Sequence, residues 1–103
     1  MSEAATAGTA DAGIGALRRA LGIANKRGLH ARAAAKFVRT AGQFDAVVRV
    51  GFKGQEVSGL SIMGLMMLSA GIGCEIVLTC SGRQAIEAMA ALSALVEGKF
   101  GED

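Results

Sequence analysis

Lys26-Arg27-Gly28-Leu29-His30-Ala31-Arg32-Ala33-Ala34-Ala35-Lys36-Phe37-Val38-Arg39-Thr40-Ala41 is the stretch in which the chain changes period. Ahead of it, Leu21 and Ile23 alternate with Gly22 and Ala24, the two-residue rhythm of a strand over Leu17 to Ala24. Asn25 to Gly28 breaks that rhythm as a loop. From Ala31 to about Thr40 the apolar residues recur at helical spacing: Ala34, Phe37, Val38 and Ala41 share one face, while Arg32, Lys36 and Arg39 point elsewhere. The spacing predicts an amphipathic helix with a cationic outer face. Gly42 stands where a glycine is expected at a helix C-terminus. The reading is strand, loop, helix, with the chain's single histidine at the helix mouth.

Working outward, Ala46 to Val50 is β-branched and reads as a second strand. Gly51 to Gly54 is expected to turn it, and Gln55 to Ser58 to return as a hairpin partner. Ser61 is a candidate N-cap for a short helix, Ile62 to Leu68, which Gly71 and Gly73 end. Cys74 to Cys80 is the clearest strand, with Ile76 and Leu78 facing one way and Glu75 and Thr79 the other. Ser81 and Gln84 have capping-box spacing and are expected to open a last helix with a stripe of Ile86, Met89, Ser93 and Val96. The order is β-α-β-β-α-β-α. It predicts an α+β fold, an open-faced β-sandwich in which a four-stranded, mostly antiparallel sheet is covered on one face by three helices. Residues 1–15 lack a periodic apolar face and read as a flexible tail, leaving 16–103 as one domain.

The totals narrow the function. At 103 residues, half of them apolar, the chain has material for one modest core. With four phenylalanines and no tryptophan or tyrosine it has no aromatic platform for bases, and a net charge of +2 is too small for a nucleic-acid binder. The charge is unevenly placed. Arg18, Arg19, Lys26, Arg27, Arg32, Lys36 and Arg39 precede residue 41 against only Glu3 and Asp11, which favours an anionic ligand or an acidic partner surface. Cys74 and Cys80 are placed on one strand, roughly 20 Å apart, so they read as free thiols in a reducing compartment. No signal peptide is visible, and the apolar run from Leu60 to Ala70 is too short to cross a bilayer. The expected location is the cytoplasm, without membrane insertion.

An imidazole is partly uncharged near neutral pH and can act as a nucleophile as well as a base. At a helix start it would stand beside the unpaired first-turn N–H groups and the positive end of the helix dipole, a cradle for an anion. Arg32 adds a planar fork of donors suited to phosphoryl oxygens. Such a site could take a phosphoryl group and pass it on. The residues alone leave a second reading open, that His30 merely caps the helix. A metal site is disfavoured, since there is no second histidine and the cysteines lack ligand spacing. Nothing in the sequence places either thiol near His30.

Asn25 to Ala35 resembles the active-site signature of the HPr family, the histidine-containing phosphocarriers of the bacterial phosphoenolpyruvate-dependent phosphotransferase system. Ser61-Ile62-Met63-Gly64-Leu65-Met66-Met67-Leu68 resembles that family's regulatory-serine segment. The spacing of the two motifs and the order of elements match as well, over about Leu17 to Gly98. The resemblance implies that His30 is phosphorylated on Nδ1, that Arg32 steadies the phosphoryl group, and that Ser61 is the residue an HPr kinase/phosphorylase modifies in regulated members. It implies Enzyme I as donor and IIA-type proteins as acceptors. It also implies a carrier rather than an enzyme, with no cofactor, acting as a monomer. Many members carry proline after the arginine, where this chain has Ala33; alanine is a good helix former, so the helix is expected to start in the same place. The alternative within the family is a mainly regulatory, nitrogen-type binding module with little part in sugar uptake.

The short helix has more apolar residues than one buried face accommodates, so some of them must be exposed. The resemblance implies that Ile62, Met63 and Met66 lie on a docking surface together with Arg27 and Lys36, methionine being adaptable to several partners. A phosphate on Ser61 would sit at a helix N-terminus, which tolerates the charge, and would repel acidic groups of a partner.

Overall fold

The computed structural model describes residues 16–102; the expected N-terminal tail lies outside them. Strand β1 (Leu17–Gly22) leads into helix α1 (Ala31–Ala41), strands β2 (Val47–Phe52) and β3 (Gln55–Ser58), helix α2 (Ile62–Met67), strand β4 (Glu75–Ser81) and helix α3 (Ala85–Glu97), closed by a 3₁₀ turn at Lys99–Gly101. The strands lie in the order β1-β4-β2-β3. Every pairing is antiparallel, with Leu17 opposite Cys80 in β1–β4, Val50 opposite Leu78 in β2–β4 and Val50 opposite Val57 in the hairpin. This is the expected open-faced sandwich.

Period-two alternation sorts the sheet's faces. Leu21, Val48, Val50, Ile76, Leu78 and Cys80 are buried beneath the helices. Arg18, Arg49, Val77 and Thr79, on the alternate positions, lie on the face left open, where Arg49 pairs with Glu56 across the hairpin at 3.4 Å. α1 contributes Ala34, Phe37 and Ala41 to the core, as its spacing predicted, with Ala33 added and Val38 only half-buried. It packs on α2 and α3, and α3 lies across β1 and β4. Arg19, at the sheet edge, reaches Glu97 of α3 at 3.0 Å.

Several local expectations are corrected. Gly51 stays in β2, and the hairpin turns on Lys53 and Gly54, both at positive φ (50° and 79°), the two-residue geometry that matches strand twist. Gly42 ends α1 in right-handed geometry (φ −69°), so its glycine freedom is not used there. α2 ends before Gly71, with Ser69 taking the left-handed conformation (φ 58°). Ser81 is not a cap: it still pairs with Val47 in the ladder, and Gln84, the residue before α3, turns its side chain to accept from the Asp45 N–H at 2.8 Å. Ile86 is exposed. Met89, Ser93 and Val96 of the expected stripe are buried, joined by Ala85, Ala88 and Leu92. Cys80 fills the core, and Cys74, half-buried, just precedes β4.

Candidate functional site

The site begins where β1 runs out. Ile23 and the loop after α2 exchange backbone hydrogen bonds, Ile23 N–H to Cys74 O at 2.8 Å and Gly73 N–H to Ile23 O at 2.9 Å. The chain then turns through Asn25 to Gly28. Gly28 has φ 63°, and a Cβ there would stand 2.5 Å from the Ala70 carbonyl oxygen and 2.8 Å from the Gly71 Cα. Only glycine fits both constraints. The close neighbour is the loop after α2. Leu29, buried, donates its N–H to the same Ala70 carbonyl at 3.1 Å. Two clamped residues thus fix the approach to α1.

His30 is the N-cap of α1, in extended conformation (φ −73°, ψ 176°), and its carbonyl accepts the first helical hydrogen bond from Ala34 at 2.9 Å. Its Nδ1 accepts from the Arg32 N–H at a long 3.3 Å. The capping reading and the anion-site reading therefore describe one geometry. The N–H groups of Ala31, Arg32 and Ala33 open the first turn without helical partners of their own, as at any helix start. The Arg32 side chain is exposed beside them.

The other edge of the ring meets a residue that the sequence did not single out. Nε2 lies 2.8 and 3.0 Å from the two oxygens of Glu102. Both side chains are only 17% exposed. Asn25 ties the carboxylate to the loop: its Nδ2 donates to Glu102 Oε1 at 3.0 Å and to the Gly28 carbonyl at 2.9 Å. Asn25 is wholly buried, and its Oδ1 has no hydrogen-bond partner. The Asn25 amide above all, then the His30 ring and the Arg32 charge, hold the Glu102 carboxyl below the ordinary carboxylate range, against the opposing push of desolvation.

Glu102 arrives on a strap that crosses back over α1. Lys99 and Phe100 both take positive φ (60° and 56°), the Phe100 ring is fully buried, and the Lys36 ammonium donates to the Phe100 carbonyl at 2.7 Å. Lys36 is half-buried and turned to this strap. Asn25 belongs to the quoted motif, but its partner is 77 residues away, and no local pattern marks Glu102.

The remaining expected residues fall around this centre. Arg27 is exposed on the loop before His30. Ile62, Met63 and Met66 are exposed on α2, and Leu60, Met67 and Ile72 extend the apolar surface. Leu65 and Leu68 anchor α2 in the core. Ser61 caps α2, its Oγ accepting from the Gly64 N–H at 2.9 Å. It stands at the far end of that helix from Ala70, with about 9 Å of helix between.

A family model described as "PTS HPr component phosphorylation site" matches residues 17–98, a stretch that stops short of Glu102. The phosphocarrier protein HPr of Cupriavidus necator is 49% identical over 86 residues, 84% of this chain and 97% of that protein. The phosphocarrier protein NPr of Shewanella violacea is 43% identical over 86 residues, covering 84% and 94%. A crystal structure of HPr from Thermoanaerobacter tengcongensis superposes with a TM-score of 0.81 at 41% identity, covering 84% of this chain and 98% of that one. With this fold, these two motifs and these relatives, the chain belongs to the HPr family of phosphocarrier proteins.

Proposed function

We propose that this chain carries a phosphoryl group on Nδ1 of His30, receives it from phosphoenolpyruvate by way of Enzyme I, and passes it to a histidine of a IIA-type protein in the cytoplasm. One observation carries the reading: His30 caps α1 with Nδ1 turned toward the Arg32 N–H. A ring nitrogen at that place, once phosphorylated, puts phosphoryl oxygens among the first-turn N–H groups, where the helix end favours negative charge. The exposed Arg32 guanidinium adds bidentate donors from the side. The 3.3 Å cap contact is long, so giving up that bond to a phosphoryl oxygen costs little.

The chain is a covalent intermediate in a relay and turns over no free small substrate. Donor and acceptor dock on the exposed Ile62, Met63 and Met66, with Arg27 at the rim. Ser61 is the regulatory position. Its Oγ already serves as a cap acceptor, and a phosphate there keeps that role while adding about −1.5 to −2 charges to the docking surface.

The test is incubation with Enzyme I and labelled phosphoenolpyruvate. Acid-labile, base-stable label on the wild type, absent from His30→Ala, is the expected result; an unlabelled wild type overturns the reading. Acid-stable label at Ser61 after HPr kinase and ATP is expected for the regulatory role, and its absence removes that role.

A further inference from the structure

The methionines are unevenly placed. Met63, Met66 and Met67 crowd onto α2 and are 66%, 37% and 71% exposed, whereas Met89 on α3 is 8% exposed. Met63 and Met67 are one helical turn apart and share a stripe, and Leu60, Ile62 and Ile72 complete the apolar surface around them. The helix itself is fixed by residues without sulfur. Leu65 and Leu68 are buried, and the Ser61 hydroxyl caps the first turn. Gly64 comes so close to β3 that a Cβ there would stand 3.0 Å from the Val57 Cβ.

We infer that Met63, Met66 and Met67 form an oxidation site, at which conversion of the thioethers to sulfoxides by a peroxide closes the docking surface while leaving the fold and His30 intact. The inference rests on the carrier reading given above and adds a regulation of its docking surface. In the step, a sulfur lone pair attacks one oxygen of hydrogen peroxide, so that an S–O bond forms as the O–O bond breaks. The departing hydroxide takes the proton of the transferred oxygen and leaves as water. Sulfur is oxidised by two electrons and the peroxide is reduced by two, with no other reactant. A flexible apolar tip has become a polar, chiral one carrying a strong acceptor. A partner face shaped for apolar tips strips water from that oxygen and offers no donor in return, so docking weakens.

The other sulfur groups are shielded. Cys80 is fully buried and Cys74 half-buried, and a thiol reacts as its thiolate, whereas a thioether needs no deprotonation. Exposure orders the methionines: Met67 and Met63 first, Met66 next, Met89 last. Sulfoxides add no net charge. Their effect on docking should therefore survive high salt, unlike repulsion from a phosphate on Ser61.

The experiment treats wild type and the triple variant Met63→Leu, Met66→Leu, Met67→Leu with hydrogen peroxide and compares each with its own untreated form. Peptide mass mapping of the wild type is expected to show sulfoxide at Met67 and Met63 before Met66, with Met89 unmodified and the circular dichroism spectrum unchanged. In phosphoryl transfer from Enzyme I and labelled phosphoenolpyruvate, oxidation should raise the KM for the wild-type carrier about tenfold with little change in kcat. The rise should be the same at low and high salt and be reversed by methionine sulfoxide reductases. The triple variant should not respond to the treatment. Met89 oxidised as fast as Met67, or an unchanged KM once the three are sulfoxides, overturns the inference. A response that persists in the triple variant assigns the effect to Cys74 and overturns it as well. An untreated wild type that takes no label marks failure of the carrier reading, and the mapping, read without a partner, still decides the oxidation site. A wild type that takes label equally before and after oxidation marks failure of this inference alone.

Discussion

His30 has two nitrogens and two different neighbours, and the division of labour between them shapes the chemistry of the site. The Arg32 N–H faces Nδ1 and the Glu102 carboxylate faces Nε2. The Glu102 carboxyl is held below its ordinary value of 4.5, chiefly by the Asn25 amide. A lowered carboxylate stabilises the fold above its unfolded value, and that contribution is lost as pH falls through the folded one. Acidification below about 4.5 should therefore weaken the Glu102 contacts with Asn25 and His30, and the difference in melting temperature between wild type and Glu102→Gln should narrow there. A difference that is constant from neutral pH to pH 3 would contradict the pairing. Gly28 offers a second check at this scale. Gly28→Ala forces a left-handed alanine, about 1–2 kcal/mol from the backbone alone, and drives its Cβ onto the Ala70 carbonyl. The denaturation midpoint should fall by more than the backbone cost. Burial pushes the Cys80 thiol up to about 11, so it should resist alkylation in the native protein at pH 8 and react only on unfolding.

Among the elements, α2 and the C-terminal strap do opposite things. α2 is fixed by Leu65, Leu68 and the Ser61 cap, and offers its methionines outward. Ser61→Ala should cost about 1 kcal/mol by loss of the cap, while Ser61→Asp, which can still accept from Gly64, should retain most of that stability yet slow phosphorylation of His30. Equal transfer rates for Ser61→Asp and wild type would remove the regulatory role. The strap, by contrast, holds its place through a buried side chain. Phe100→Ala should destabilise by about 3–5 kcal/mol, measured by denaturant unfolding, and should also free Glu102 from the His30 ring.

For the whole molecule, the two-sided placement of charge favours acidic partners that approach the His30 end. Raising salt should slow phosphoryl transfer; a salt-independent rate would remove the steering role of Arg27 and its neighbours. Much of this architecture is legible in the sequence wherever one face is apolar and the other is not. α1 and β4 are read nearly residue by residue for that reason, as is the Ser61 cap, whose acceptor and donor are three residues apart. On α3 Met89, Ser93 and Val96 are read correctly but Ile86 is not, because the helix is apolar almost throughout and close packing selects Ala85 and Ala88 over Ile86. Gln84 is misread because its partner, Asp45, is 39 residues away. Half of the site is local to the motif. The other half, Glu102, arrives from 72 residues downstream and leaves no local trace.

The central claim is that the phosphoryl group resides on Nδ1 of His30. ³¹P and ¹⁵N spectroscopy of the histidine-labelled protein after exposure to Enzyme I and phosphoenolpyruvate tests it most directly. One phosphoryl group per chain, coupled to Nδ1, is the expected result. Phosphorus coupled to Nε2, or no phosphoryl group on the ring at all, would contradict it.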